Sequence, residues 1–238
     1  DLDQQGNLTT AFRIKADQTP IMVEIINQKL PIKEGIVPVC AGLDLMPSRI
    51  ENALLDNNIM LKRLPLDRIY REVIQPLKKE YDLILIDCPP ALGSSVTAAA
   101  LAVDVIISPV TPSEFSLSGL QITKNEVKNI SENFGINIPV RALLNRFDSR
   151  TSLSHETLRL LIKHPIYSEG LFNTAVRVSQ EFENVITQGC SIFDSLKNSS
   201  AKEDIDLLTR ELLGIDNFSK ETNLSDLDAL MESRIDAI

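Results

Sequence analysis

The stretch from Tyr81 to Gly93, YDLILIDCPPALG, restricts the folds open to this chain more than any other. Leu83 to Ile86 are apolar and Asp87 ends the run. A short apolar run of this kind suits a strand buried on both faces of a parallel sheet, where covering helices remove the usual alternation. Pro89 and Pro90 have no N–H to give a ladder, so the strand is expected to stop there. An acidic residue at the carboxyl end of such a strand stands where open α/β sheets take their ligands. Nucleotide-binding sheets use a carboxylate in that place to hold Mg²⁺. The competing reading is a core strand that ends in a capping aspartate.

The remaining pattern alternates strands with helices. The chain opens on DLDQQGNLTT, where Asp1 and Asp3 share a face if they end a strand, and Asn7 or Thr9 is placed to cap a helix. Residues 10–35 read as mostly helical, Ile36 to Leu43 as a strand, and 49–57 as a helix. Leu66, Ile69, Val73 and Leu77 fall on one helical face and lead into the Tyr81 stretch. A small-residue helix over 96–103, a strand over 104–110, a long helix after Pro112, and a strand over 138–144 follow. A helix over 151–163, an edge strand over 171–176 and helices near 178–188 and 200–213 complete the pattern. Such alternation predicts an α/β fold: a doubly wound, mostly parallel sheet flanked by helices, in one domain over 1–215.

Composition excludes several classes. Of 238 residues, 43% are hydrophobic and 24% charged, as in a globular chain with a sizeable core. No run approaches the roughly 18 apolar residues of a membrane span. Cys40, Cys88 and Cys190 are scattered with no C-x-x-C pair, and His155 and His164 are read as exposed, so neither a disulfide framework nor a zinc site is indicated. This points to a reducing, cytoplasmic setting. The net charge of −9 argues against coating nucleic acid through an overall field, though not against a local basic patch.

Five ordered motifs resemble the ParA/Soj/MinD group of deviant P-loop ATPases, most closely the ParA/Soj partition proteins. The family's D-x-D-P-Q-G-N is matched by Asp1 to Asn7, with Gln4 in place of the proline. Its Walker B region is matched by Tyr81 to Gly93, and its P-V-x-P-x-x-x-x-L-x-G-L by Pro109 to Leu120. Leu144 to Ser154 and Val176 to Gln180 match two later segments, and beside these five a further stretch, Gly42 to Ser48, matches G-L-D-L-[IL]-P-[AS]. The resemblance covers about residues 1–215.

It implies that Asp87 holds Mg²⁺ through water, that Asp3 orients the attacking water, and that Asp1 supports the metal or Asp3. Phosphoryl transfer asks mainly for positioning and charge stabilisation, so carboxylates near an in-line water suffice. Asn145 stands where relatives bond the adenine edge, Arg146 and Asp148 on the same rim, and Pro112 and Ser113 in the loop over the base. The implied cofactors are ATP and Mg²⁺.

The family's phosphate loop, G-x-x-x-x-G-K-[ST], does not occur in these residues. The sheet is therefore expected to lack its first strand and phosphate loop, and the polypeptide as written is not expected to hydrolyse ATP. A beginning in mid-motif favours a truncated ATPase over a natural pseudo-ATPase.

The resemblance further implies an ATP-bound homodimer that binds DNA non-specifically, is nucleoid-associated in that state, and is stimulated by a ParB-like partner. Arg177, Lys197 and Lys202 are the DNA-binding candidates. Thr174 replaces a family arginine, so DNA binding weaker than in relatives is expected. Two alternatives stand: a MinD-like positioning ATPase, and a non-catalytic dimerisation or regulatory protein. Residues 216–238 form an acidic tail with leucines and isoleucines at helical spacing, read either as a short amphipathic helix that docks on its own domain or a partner, or as a frayed end. Its acidity argues against membrane binding, which favours Lys and Arg on the polar face.

Overall fold

The strand that is buried on both faces is β4, Val140–Phe147, at the centre of a parallel sheet. In the computed structural model, which describes residues 1–194 and 198–215, β3 (Ile106–Val110) pairs with β4 from Ile106↔Val140 to Val110↔Leu144. Strand β5 (Val176–Arg177) pairs with the other edge of β4. A parallel neighbour requires a crossover, and helices supply it. Helix α6 (Glu114–Phe134) links β3 to β4, and α7 (Ser152–Lys163) with the short α8 (Pro165–Ser168) links β4 to β5.

Successive β4 side chains enter different cores. Ala142 and Leu144 pack with Leu117 and Leu120 of α6 and with Leu158 and Leu161 of α7. Leu143, between them, packs with Phe172 and Val176. That second core also takes Phe182 of α9 (Gln180–Gln188) and Ile205, Leu208 and Leu212 of α10 (Ser200–Leu213). This is the covering by helices on both faces expected of the α/β class.

The helices are bounded by local chemistry. Thr151 caps α7 by accepting from Ser154 N, and Ser199 caps α10 by accepting from Lys202 N. Gly214 ends α10 in the left-handed region at φ 63°, where a side chain would be disfavoured.

The chain clusters into two units, one of residues 1–104, 130–138 and 186–190, the other of the remainder. The parallel sheet belongs to the second. In the first, α1 (Asn7–Ala11), α2 (Met22–Gln28), α3 (Leu54–Leu61), α4 (Ile69–Ile74) and α5 (Ser94–Ala100) surround a core that includes Leu2, Ile21, Leu55, Ile59, Tyr70 and Ala98. A hairpin of β1 (Val37–Cys40) and β2 (Leu43–Leu45) turns at Gly42, φ 79°.

Several expectations are corrected. Leu83 to Asp87 is not part of a ladder: the Asp87 carbonyl accepts from Leu2 N at 2.8 Å and the Ile86 carbonyl from Cys88 Sγ at 3.7 Å. Nor is it buried on both faces. Ile84, Ile86 and Cys88 pack against the core, while Leu83 and Leu85 are 48% and 72% exposed. An apolar run reports affinity for a core but not which layers reach it, and no described element covers the outer face.

Residues 10–35 hold only short helical pieces, because Pro20 and Pro31 interrupt them. The strand expected over 36–43 is a hairpin instead. The edge strand expected over 171–176 shortens to β5, with Leu171 bridging Ala142 alone. Gly6, not Asn7 or Thr9, stands at the N-cap of α1. His155 is half-buried, with Nε2 2.9 Å from the Ser149 carbonyl oxygen and its ring edge-on to Phe147. Lys197 and the acidic tail lie outside the described residues.

Candidate functional site

The first unit assembles the candidate carboxylates. Residues 1–3 run between two other segments: Asp1 N donates to the Met46 carbonyl, and Leu2 N to that of Asp87. Leu2, 4% exposed, anchors the segment in the core and leaves its acidic neighbours at the edge. The backbone thus brings the Asp1–Asp3 stretch to the end of the Tyr81 stretch.

The three carboxylates differ in surroundings. Asp1 is buried, and its Oδ2 accepts from Thr9 N at 3.0 Å and Thr9 Oγ1 at 2.7 Å. Its Oδ1 is buried with no hydrogen-bond partner. Asp3 is half-buried; its Oδ1 accepts from Gln5 N at 3.0 Å and its carbonyl from Gly6 N at 2.9 Å, closing a turn. Asp87 is exposed. Beside it, burial and then the Asp87 charge push the Cys88 thiol up to about 11, so it stays protonated at neutral pH.

Among the described residues no three His, Cys, Asp or Glu side chains gather as a self-sufficient metal site. Hard-oxygen donors of this kind nonetheless suit Mg²⁺, which keeps most of its waters and takes one or two carboxylates plus substrate phosphates. The unpartnered Asp1 Oδ1 is the observation that fits such a cation: a buried carboxylate oxygen ordinarily has a partner.

The second unit carries the candidate base-binding rim. Pro112 and Ser113 follow β3, and Asn145 to Asp148 close β4, so both groups stand at the carboxyl ends of adjacent parallel strands. This is the edge at which open α/β sheets bind ligands. Ser113 Oγ accepts from Ser116 N, and Ser116 Oγ accepts from Thr111 N at 2.9 Å, which fixes the loop on the first turn of α6.

The β4–β5 register shifts between Asn145 and Phe147, leaving Arg146 as an extra residue in the left-handed region at φ 57°. Asn145 Oδ1 accepts from Arg146 N at 2.9 Å, which stabilises the bulge and exposes the Arg146 side chain. Asp148 accepts two bonds from the Arg150 guanidinium, at 2.9 and 2.8 Å, and one from Arg150 N at 3.0 Å. The Arg150 guanidinium and then its N–H hold the Asp148 carboxyl down at about 2. Phe147 to Arg150, Arg177, Val178 and Ser200 line a polar cavity of about 320 Å³.

Arg177 is held rather than extended. Its guanidinium bonds Asp204, with Glu203 and the Ser200 carbonyl at 3.3 Å. Lys202 is half-buried in the first turn of α10. Three partners went unnoticed in the sequence: Thr9, Arg150 and Asp204. Only Arg150 carries a local signal, since an Asp-x-Arg spacing in a turn permits that pairing; the others meet their partners through tertiary packing.

Residues 1–140 match the family described as AAA domain. The chain is 26% identical over 216 residues to a virulence plasmid ParA family protein of Chlamydia psittaci, spanning 89% of this chain and 80% of that one. It is 28% identical over 225 residues to the chromosome partitioning protein ParA of Myxococcus xanthus, spanning 86% and 76%. Its fold is similar to that of a plasmid partition protein of Borrelia burgdorferi bound to AMPPNP, with a TM-score of 0.70 over 91% of this chain and 84% of that one at 20% identity. With its first 140 residues matched and its carboxylate motifs and parallel sheet in place, the chain belongs to the AAA domain family and, within it, to the ParA/Soj group of P-loop ATPases.

Proposed function

We propose that this chain is a ParA-type ATPase of DNA partitioning, which binds Mg²⁺ and ATP, dimerises on doing so, and then holds DNA without sequence preference. The observation that carries the reading is the bond from Leu2 N to the Asp87 carbonyl, which sets the Asp1–Asp3 motif against the end of the Walker B stretch. In this reading Asp87 and Asp1 face the hydrated cation and Asp3 orients the attacking water. Asn145, with Arg146, Asp148, Pro112 and Ser113, forms the base-side rim of the second unit. A ParB-like protein is the partner that stimulates turnover.

When held by Asp87 and Asp1, Mg²⁺ would supply charge neutralisation at the phosphates. The chain's own residues position it and the water. These residues contain no G-x-x-x-x-G-K-[ST] loop, so they supply the carboxylate side of the chemistry and not the phosphate cradle.

DNA contact is expected to be weak. The chain is acidic, and Arg177 already neutralises a buried carboxylate. Retention of random-sequence duplex DNA by the complete gene product, measured with ATP and with ADP over a series of salt concentrations, tests the function. Retention with Mg·ATP only, falling as salt rises, is expected. Retention that ignores the nucleotide or the salt overturns the partition reading.

A further inference from the structure

Behind the Asp1 carboxylate runs a series of buried polar groups with no part in the chemistry above. Thr9 gives Asp1 Oδ2 both its N–H and its hydroxyl proton. The Thr9 hydroxyl oxygen accepts from Ser48 N at 2.9 Å. Ser48 Oγ accepts from Asn52 Nδ2 at 2.8 Å, and Asn52 Oδ1 from Val23 N at 3.2 Å, in the first turn of α2. Asp1, Thr9, Ser48 and Asn52 are 9, 4, 3 and 4% exposed.

Burying polar side chains costs free energy unless their bonds are made, and a network with one open member is worse than an apolar core. This series is satisfied along its length and open at one atom, Asp1 Oδ1. The asymmetry restricts the carboxylate. Two bonds on Oδ2 oppose rotation of the group, and the single Thr9 hydroxyl proton is committed because the Ser48 N–H occupies the hydroxyl oxygen from the other side. What remains is one oxygen of an anionic group, desolvated and held in place, which a cation or a cation-bound water would complete.

We propose that Thr9 is the positioning residue of Asp1: by taking up Oδ2 it reserves Oδ1 for the hydrated Mg²⁺ of the nucleotide site, with Ser48 and Asn52 holding Thr9 in turn. The inference rests on the Mg²⁺–nucleotide reading above. It adds that cation affinity depends on a hydroxyl that never touches the cation. Gly6 supports the arrangement, since a Cβ there would lie 3.0 Å from the Ser48 carbonyl oxygen and push on the same segment.

The test is Mn²⁺ binding followed by electron paramagnetic resonance in the complete gene product with AMPPNP, for wild type, Thr9→Val, Thr9→Ser, Asp1→Asn and the Thr9→Val/Asp1→Asn pair. Thr9→Val keeps the shape and removes the hydroxyl, and is expected to weaken Mn²⁺ about 10–100-fold, the usual effect of losing an outer partner of a ligand. Thr9→Ser should restore most of it. Thr9→Val should cost nothing further once Asp1 is Asn, which a merely structural role would not produce. Thr9→Ala, lacking the same hydroxyl, replaces Thr9→Val if circular dichroism shows that variant unfolded. Wild-type affinity in folded Thr9→Val or Thr9→Ala, or equal losses with and without the Asp1 carboxylate, overturns the proposal and leaves the nucleotide reading standing. Absence of Mn²⁺–AMPPNP binding in wild type overturns the nucleotide reading itself.

Discussion

Asp204, with its side chain 4% exposed, holds Arg177 through both carboxylate oxygens: Nη2 donates to Oδ1 at 2.7 Å and Nε to Oδ1 and Oδ2 at 3.0 Å each. The Arg177 backbone N–H adds a bond to Oδ2 at 2.8 Å. One turn-and-cap element, β5 into the start of α9, is thereby fastened to α10. Two turns further along α10, Glu211 repeats the arrangement, accepting from the backbone N–H groups of Asn173 and Thr174 and from Arg141.

Removing Arg177 leaves the Asp204 charge buried and uncompensated. Breaking such a pair from one side costs about 3–5 kcal/mol, and the half-exposed guanidinium places Arg177→Ala near the lower figure. Urea unfolding of Arg177→Ala and of Arg177→Ala/Asp204→Ala measures it, with the double variant expected to recover part of the loss. A single variant as stable as wild type would show that solvent already screens the pair. Loss of DNA retention in Arg177→Ala has to be judged against this stability change. Lys202→Gln is a second probe: a phosphate contact there predicts that the slope of log affinity against log salt falls by about 1.

The Asp148–Arg150 pair sets a pH dependence. The folded-state carboxyl, held at about 2, lies below its ordinary value of 3.8. The ionised form is therefore favoured by folding. Its contribution is present above the ordinary carboxylate range and is lost as pH falls toward about 2. A carbon-13 titration of the Asp148 carboxyl should show the low midpoint, and Arg150→Ala should return it toward the ordinary range. An unchanged midpoint in the variant would rule Arg150 out as its cause.

At the start of α5, Asp56 Oδ1 accepts from Ser95 N at 2.6 Å, and Gly93 makes room for it. A Cβ on Gly93 would collide with Asp56 Oδ2. Gly93→Ala must displace the carboxylate and forfeit the bond, at about 1 kcal/mol for a lost cap and more if the displacement strains α3. Thermal unfolding of Gly93→Ala alone and with Asp56→Ser should show the clash relieved in the pair. Equal midpoints for wild type and Gly93→Ala would contradict the packing described.

Under the proposed chemistry, Asp3→Ala and Asp87→Ala should separate in the complete gene product. Asp3→Ala lowers ATP turnover about 10²–10⁴-fold with nucleotide affinity retained, as for loss of a group that positions a reacting water. Asp87→Ala loses the Mg²⁺ dependence of nucleotide binding. Turnover assays beside equilibrium binding with and without Mg²⁺ decide, and identical phenotypes for the two variants would remove the division of labour between them.

Much of the site was legible because its parts are local. Asp87 follows an apolar run and precedes two prolines, Asp1 and Asp3 flank a core leucine, and Asn145 to Asp148 end a strand. Strand-ending carboxylates and turn residues write themselves into short stretches, since their backbone geometry depends on neighbours in sequence. The alternation of strands and helices from Ile106 to Leu213 was legible for the same reason, because each crossover needs its own amphipathic helix.

Local pattern did not say which strand is central. Leu83 to Ile86 and Ala142 to Leu144 are both apolar runs, yet only the second is covered on both faces. Hydrophobicity states a preference for burial; which elements arrive to satisfy it is a property of the packed chain. The same holds for buried polar pairs. Asp1 with Thr9 and Ser48, Arg177 with Asp204, and Arg141 with Glu211 join residues from 8 to 70 positions apart. The sequence alone thus determined the fold class, the family resemblance and the candidate carboxylates. Tertiary structure decided which oxygen atoms are already taken, because a buried polar group must find its partner wherever packing places one.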